Sequence, residues 1–291
     1  ILMGCLARLP FAIMPGMGLN TFFAYTVVLS MGYTWQMAMS AVLIEGLLFM
    51  LLSFTNIRTL IINSIPSDLQ SAIGAGIGLF VAFIGLSNAS IIISGSPVTT
   101  VGYFDNIMGI IALVGLAITA ILYVYKVPGA LFLGIVGTTL LGIPFGLVEW
   151  VGFQMISLEG FNSTFLQFDF SQLFTFDFLV VLSIFLFIDI FNTAGTFISV
   201  AKGANMIDKD GNIPAARRAF FSDAFGTFLG SILGTSTLTT VVESAAGTNI
   251  GGKTGITALV VGVLFLLSLV LYPFFALIPL YATSPVLIII G

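Results

Sequence analysis

Asp189 and Glu243 are the two residues of this chain best suited to chemistry. Both sit inside long apolar stretches of a sequence that is only 7% charged. A carboxylate is costly in hydrocarbon, so one placed there marks a functional site by default. Its two oxygens accept N–H donors, and its pKa is open to adjustment by the surroundings. Asp189 stands in FLVVLSIFLFIDIFNTAGTFISV (178–200), with no other charge between Asp177 and Lys202. Asn192, Thr193, Thr196 and Ser199 follow it at i+3, i+4, i+7 and i+10. That spacing draws one polar stripe along one helical face. Such a stripe lines a cavity or forms a polar seam between helices. Glu243 follows GTSTLTTVV, which places five hydroxyls in the six positions 235 to 240. The expectation is a half-helix with Glu243 in its first turn and Thr239 or Thr240 as its N-cap. There the helix end favours the ionised carboxyl and low dielectric favours the protonated one. Glu45, in AMSAVLIEGLLFMLL, is a third intramembrane acid. Its helical neighbours Ala41, Val42, Leu48 and Phe49 offer no hydrogen bond, so its partner must come from another helix, and both a structural and a functional role stay open. Asp68, Asp208, Asp210 and Asp223 fall in or beside loops and read as solvated or ion-paired.

The elements that must position these groups are membrane spans. Hydrophobic residues make up 58% of the chain, and its mean hydropathy is +1.18. Uncharged stretches recur at about 20 residues, the length that crosses a bilayer core. Candidate spans are the tail of one helix at 1–7, then 11–30, 35–54, 71–93, 107–125, 128–147, 177–201, 219–234, 235–250, 254–279 and the start of another at 283–291. Apolar runs at both ends lead to the expectation of a fragment lacking spans on either side. The segment at 56–70 is amphipathic and suits the interface, and 148–176 is a long aromatic and acidic connection. If loops alternate sides, one side receives Arg8, Arg58, Lys126, Lys202, Lys209, Arg217, Arg218 and Lys253, which are all eight basic residues. The other side receives Asp105, Glu149, Glu159, Asp169 and Asp177. The positive-inside rule then makes the 202–218 loop cytoplasmic.

Two segments are unlike simple spans. PGMGLN (15–20) and GTSTLTTVVE (234–243) interrupt apolar stretches with helix breakers and polar residues. In lipid, irregular backbone survives only where protein or a cavity covers it. Interrupted spans in two halves of a transporter point to a midplane binding site. Gly226, Gly230 and Gly234, and the pair Gly74 and Gly78, recur at four-residue spacing and predict close helix packing. GAGIG (74–78) is no nucleotide loop, since no strand precedes it. Histidine is absent and Cys5 is the single cysteine, so no internal disulfide and no cysteine-based metal site is expected. No metal-ligand cluster, phosphate loop or nucleophile elbow is present. The residues therefore predict a solute transporter rather than an enzyme, without cofactor and without a nucleic-acid partner. An intramembrane hydrolase using Asp189 and Glu243 would need a catalytic motif that neither acid has.

PGMGLNTFFAYTVV (15–28), FIDIFNTAGTFISVAKGANMID (187–208) and GTSTLTTVVESAAGTNIGGKTG (234–255), with IEG at 44–46 and AIGAGIGLF at 72–80, resemble the AzgA-like purine permeases of the nucleobase–cation symporter-2 family. The resemblance implies an all-α membrane protein of fourteen spans, built as two inverted sevens. Spans three and ten carry short strands, and a core domain moves against a gate domain. In these terms the chain divides into 1–54 (core), 55–147 (gate), 148–176 (extracytoplasmic loop), 177–280 (core) and 281–291 (start of the second gate half). The resemblance further implies proton-coupled uptake of guanine, hypoxanthine or adenine across the cell membrane, and an architecture that often forms homodimers. It assigns Gly18, Asn20, Asp189 and Glu243 to substrate binding. Asn20, with donor and acceptor together, suits the mixed edge of a purine, and Phe22, Phe23, Phe187 or Phe191 is expected to stack on the base. The related pattern reads FDTAGT where this chain has FNTAGT, so Asn192 replaces an acid. Proton coupling then falls to Asp189, Glu243 or Glu45. An anion transporter or channel of the same architecture, facilitated purine diffusion, and a purely structural subunit are the alternatives.

Overall fold

The computed structural model describes residues 1–55, 67–93, 100–101, 106–148, 163–206, 213, 215–241 and 243–291. Most of the expected interfacial segment 56–70, much of the 148–176 connection and the tip of the 202–218 loop lie outside the described residues. So do Asp208 and Asp210, and the side chains of Asp68 and Ser199.

In chain order the elements are a π-helical turn Met3–Ala7, strand β1 Ile13–Pro15, and α1 Met17–Thr21, which continues as a π-helical stretch Phe22–Ser30. Then come α2 Trp35–Phe54, α3 Ser67–Asn88, β2 Ile92–Ile93, β3 Thr100–Val101, α4 Ile107–Val124 and α5 Ala130–Gly142. The second half holds α6 Phe176–Gly203, α7 Ala216–Leu233, β4 Leu238–Thr240, α8 Ser244–Asn249, α9 Gly255–Val270, α10 Tyr272–Ala276 and α11 Leu280–Ile290. Segments Trp35–Phe54, Ile107–Val124 and Phe176–Ile198 are long and apolar enough to cross a membrane by length and composition. The stretch expected as one span at 254–279 is two helices, α9 and α10. Pro273, in the first turn of α10, has no N–H to continue a helix and suits only its start.

Contacts divide the chain into two compact units. One contains residues 1–74 and 157–266, the other 75–156 and 267–291. In the first, α2 packs chiefly on α7 and also on α6. Thr34 starts α2 by accepting the Met37 N–H at 3.3 Å, the usual role of a threonine N-cap. A methyl group on Gly46 would come 2.7 Å from the backbone nitrogen of Phe228, so glycine is what lets α2 and α7 close up. Leu19, Val27, Met37, Val42, Phe178 and Phe185 form one part of the core, which includes the first half of α6. In the second unit, α4 and α5 interlock through two reciprocal pairs. Thr138 fills the space above Gly115, and Thr119 fills the space above Gly134. Each threonine hydroxyl returns a 2.7 Å bond to the carbonyl four residues back on its own helix.

Candidate functional site

The two interrupted segments meet. β1 and β4 pair antiparallel, with Ile13 opposite Thr240, Met14 opposite Thr239 and Pro15 opposite Leu238. Each strand is followed by a short helix, α1 after β1 and α8 after β4. The strand backbone, which would be unsatisfied in lipid, is bonded at both ends. Gly16 N–H reaches the Thr237 carbonyl at 3.4 Å, and Val241 N–H reaches that of Ala12 at 3.2 Å. The Thr227 hydroxyl of α7 lies 2.8 Å from the Leu238 carbonyl and 3.2 Å from the Leu238 N–H. A methyl on Gly16 would come 2.8 Å from Thr239 Cγ2 and 3.5 Å from Asn192 Nδ2. The crossing is therefore close enough to demand glycine there. Gly226 and Gly230 of α7 face the same crossing rather than a helix partner, while Gly234 lies against Thr164. Gly230 faces Leu238, Gly226 faces Ile13 at 3.6 Å, and Gly234 (φ +92°) ends the helix in the left-handed conformation.

The hydroxyl run around β4 sends one side chain to each surrounding polar group. Ser236 donates to Asn20 Oδ1. Thr237 donates to Glu45 Oε2 of α2 at 2.7 Å. Thr239 meets Thr193 of α6 at 3.0 Å, and Thr240 donates to Asp223 Oδ1 of α7 at 3.5 Å. Glu45 is fully buried, and the broken segment supplies a partner for it in Thr237.

Asp189 and Asp223 are both 1% exposed. The Thr193 hydroxyl lies between them, 3.0 Å from Asp189 Oδ1 and 3.2 Å from Asp223 Oδ2. Asp223 was expected to be solvated or ion-paired, and the structure corrects this. Burial on the inner face of α7 places it at the centre of the polar cluster. The signal was the spacing Asp223, Thr227, Ser231, a second polar stripe at i, i+4 and i+8 whose members are all buried. Arg217 and Arg218, one and a half turns earlier, masked it by suggesting a helix end near water.

Glu243 is exposed and occupies the N-cap position of α8, with no side-chain capping bond. The expected capping by Thr239 or Thr240 is corrected, because both lie on β4, where their hydroxyls serve α6 and α7. Asn20 is exposed near the end of α1, Gly18 is half-buried in its middle, and Asn192 is half-buried on the α6 stripe. Among the described residues no group of His, Cys, Asp and Glu is arranged to hold a metal ion.

Residues 1–291 match the model of the Permease family, Xan_ur_permease. The chain belongs to this permease family. It is thus an integral membrane transporter and not an enzyme. The permease is 43% identical over its whole length to the guanine/hypoxanthine permease PbuG of Bacillus subtilis, of which it spans 67%. It is 36% identical, again over its whole length, to the adenine permease AdeP of Escherichia coli, of which it spans 65%. The chain thus covers about two thirds of these relatives. Among solved structures, the transmembrane domain of the cyanobacterial bicarbonate transporter BicA superposes with a TM-score of 0.71 at 15% identity, covering 100% of this chain and 78% of that one. The two share a fold.

Of the four phenylalanines of the permease expected to stack on a ligand, Phe22 and Phe23 lie against Phe185 with ring centroids 5.2 and 6.2 Å apart. Both are packed on the α6 core. Phe187 and Phe191 stack on each other at 6.4 Å. They sit two residues either side of Asp189, which on a helix is the opposite face, and Phe187 is 62% exposed. Charge is also segregated within the first unit. The Asp169 N–H bonds the Ser40 hydroxyl at 2.9 Å near the start of α2. Tyr33, just before α2, has its hydroxyl pKa pushed up by desolvation and by the neighbouring Asp177 carboxylate. At the other end, Arg217 donates to the carbonyls of Ser53 at 3.2 Å and Phe54 at 2.7 Å. The twenty residues of α2, about 30 Å of helix, thus separate acidic from basic groups.

Proposed function

We propose that this permease carries purine bases across the cell membrane by alternating access, in symport with a proton. The base binds where the two broken spans cross. The observation that carries the reading is this crossing, which ties Asn20 of the first broken span to Ser236 of the second and leaves the Glu243 carboxylate exposed at the head of that second span's half-helix. An exposed carboxylate with two acceptor oxygens suits the adjacent N–H donors of guanine and the N1–H of hypoxanthine. Asn20 and the backbone near Gly18 supply the remaining polar contacts. Relatives named as guanine/hypoxanthine and adenine permeases support the substrate class. The unit of residues 1–74 and 157–266 serves as the core that bears the site, and the other unit as the gate. The end of α2 held by Arg217 faces the cytoplasm, in keeping with the positive-inside rule.

Asp189 had two roles open to it, ligand and proton carrier. Its burial favours the second. Thr193 has one hydroxyl hydrogen and donates it to one carboxyl only. The other carboxyl is accommodated at 3.0–3.2 Å when it carries a proton and donates to the threonine oxygen. One proton shared by Asp189 and Asp223 satisfies both contacts, and in this proposal it is the proton moved in symport. Facilitated diffusion is the second reading, favoured by Asn192 in place of an acid on the same stripe. Glu243 and the acids behind it argue against an anion carrier on the BicA-like scaffold, since a carboxylate at the site repels an anion.

Binding to the full-length protein in detergent tests the substrate. Hypoxanthine should raise the unfolding temperature of the wild type and leave Glu243→Gln unshifted. Equal shifts in both would remove Glu243 from the site, and no shift in the wild type would remove the purine.

A further inference from the structure

We infer that Ser236 is a specificity-determining residue, which fixes Asn20 as a hydrogen-bond donor and thereby selects 6-oxopurines over adenine. The inference rests on the purine site proposed above. A free asparagine amide offers one acceptor and two donor hydrogens, and in that state it pairs with the N6–H/N7 edge of adenine by accepting from one and donating to the other. In the structure the acceptor end is already engaged, because the Ser236 hydroxyl donates to Asn20 Oδ1.

Ser236 itself is held in place. It is 7% exposed, and Thr237, its neighbour, is anchored by a 2.7 Å bond to the buried Glu45 carboxylate. Thr237 also receives the Gly16 N–H on its carbonyl at 3.4 Å. Gly16 caps α1, the helix that bears Asn20, and the Asn20 N–H bonds back to the Gly16 carbonyl at 2.8 Å. Both partners are thus positioned by the same crossing, and the amide turns Oδ1 toward the Ser236 hydroxyl.

With one of the two lone pairs of Oδ1 taken up by Ser236, the NH2 group is the part of the Asn20 amide left to meet the base. Two donor hydrogens match the adjacent O6 and N7 acceptors of hypoxanthine and guanine. Against adenine they match N7 alone and meet the N6 amino group donor to donor. Glu243 discriminates in the same direction, because its carboxylate accepts the N1–H that 6-oxopurines have and adenine lacks. Ser236 touches Asn20 and not the base, so it is a positioning residue. Its removal frees Oδ1 to accept from the adenine amino group.

The test is uptake of labelled hypoxanthine and adenine, separately and in competition, by the full-length protein in cells lacking purine permeases. Wild type should prefer hypoxanthine. Ser236→Ala should raise adenine uptake relative to hypoxanthine by about 5- to 150-fold, the range of one bidentate base contact. Ser236→Thr, which keeps the hydroxyl, should restore the wild-type ratio, an outcome that a merely structural role would not give. An unchanged ratio in Ser236→Ala overturns the inference, and so does a wild type that prefers adenine. If Ser236→Ala is inserted but inactive, the ratio of the two bases' affinities is measured by thermal shift on the purified variant. A shift of that ratio toward adenine then supports the inference, and an unchanged ratio overturns it. Absence of uptake of either base by the wild type is a different result, which sinks the purine site and this inference with it.

Discussion

Thr193 carries one hydroxyl hydrogen and lies within 3.2 Å of three side-chain oxygens, those of Asp189, Asp223 and Thr239. Thr193→Val keeps the shape and removes the bridge. It should leave the protein folded in the membrane and abolish concentrative uptake, as measured by the accumulation ratio of labelled substrate. Asp223→Asn separates coupling from binding. An amide stands in for the protonated acid and donates to Thr193, so substrate exchange across the membrane should persist while accumulation is lost. Wild-type accumulation in Asp223→Asn would remove that residue from the proton path. Thr237 works at the same scale for stability. Thr237→Val deletes a donor to the buried Glu45 carboxylate, and losing a bond to a buried polar group costs about 1–3 kcal/mol. A lowered unfolding temperature in detergent is the expected outcome, with Glu45→Gln milder than Glu45→Ala because the amide still accepts from Thr237.

At the scale of elements, the strands are held by what α7 leaves out. A methyl on Gly230 collides with Leu238 of β4, whereas one on Gly226 finds Ile13 at 3.6 Å, an ordinary contact distance. Gly230→Ala should therefore displace the crossing, at a cost of about 1–3 kcal/mol from overpacking, and depress uptake strongly. Gly226→Ala should stay near wild type in both unfolding temperature and uptake. Equal effects would mean that these glycines act through helix propensity and not through the strand. The same two residues mark where sequence reasoning stopped short. The breaks at 15–20 and 234–243 were legible, because Pro15, Gly16 and five hydroxyls have no place on a lipid-facing helix. The acids at 45, 189 and 243 stood out for their isolation among apolar residues. Four-residue glycine spacing, however, reads identically whether a helix or a strand fills the groove. Asp223 was missed because proximity to Arg217 in sequence says nothing of which face of α7 turns inward. The N-cap of α8 was misplaced for a related reason. A threonine that caps a helix and one that bonds across from a strand have the same composition, and only the pairing of β1 with β4 separates them.

For the whole molecule, the segregation of charge along α2 gives a test of orientation. In a Cys5→Ser background, a cysteine at the exposed Gln172 should react with a membrane-impermeant maleimide in intact cells. A cysteine at the exposed Arg218 should react only after permeabilisation, and the reverse pattern would invert the proposed topology. The fold shared with BicA, at 15% identity, leaves the choice of cargo, on the proposed reading, to the side chains at the crossing. In the proposed reading, Glu243, Asn20 and the buried pair Asp189–Asp223 together select a neutral, donor-bearing base and a proton. The most direct measurement is uptake of radiolabelled hypoxanthine, guanine and adenine by the full-length protein in cells lacking purine permeases, with and without a protonophore, beside Glu243→Gln. Proton-coupled purine transport requires accumulation that collapses with the protonophore and is lost in Glu243→Gln. Uptake that survives the protonophore would contradict the coupling, and a protein that reaches the membrane yet moves none of the three bases would contradict the function itself.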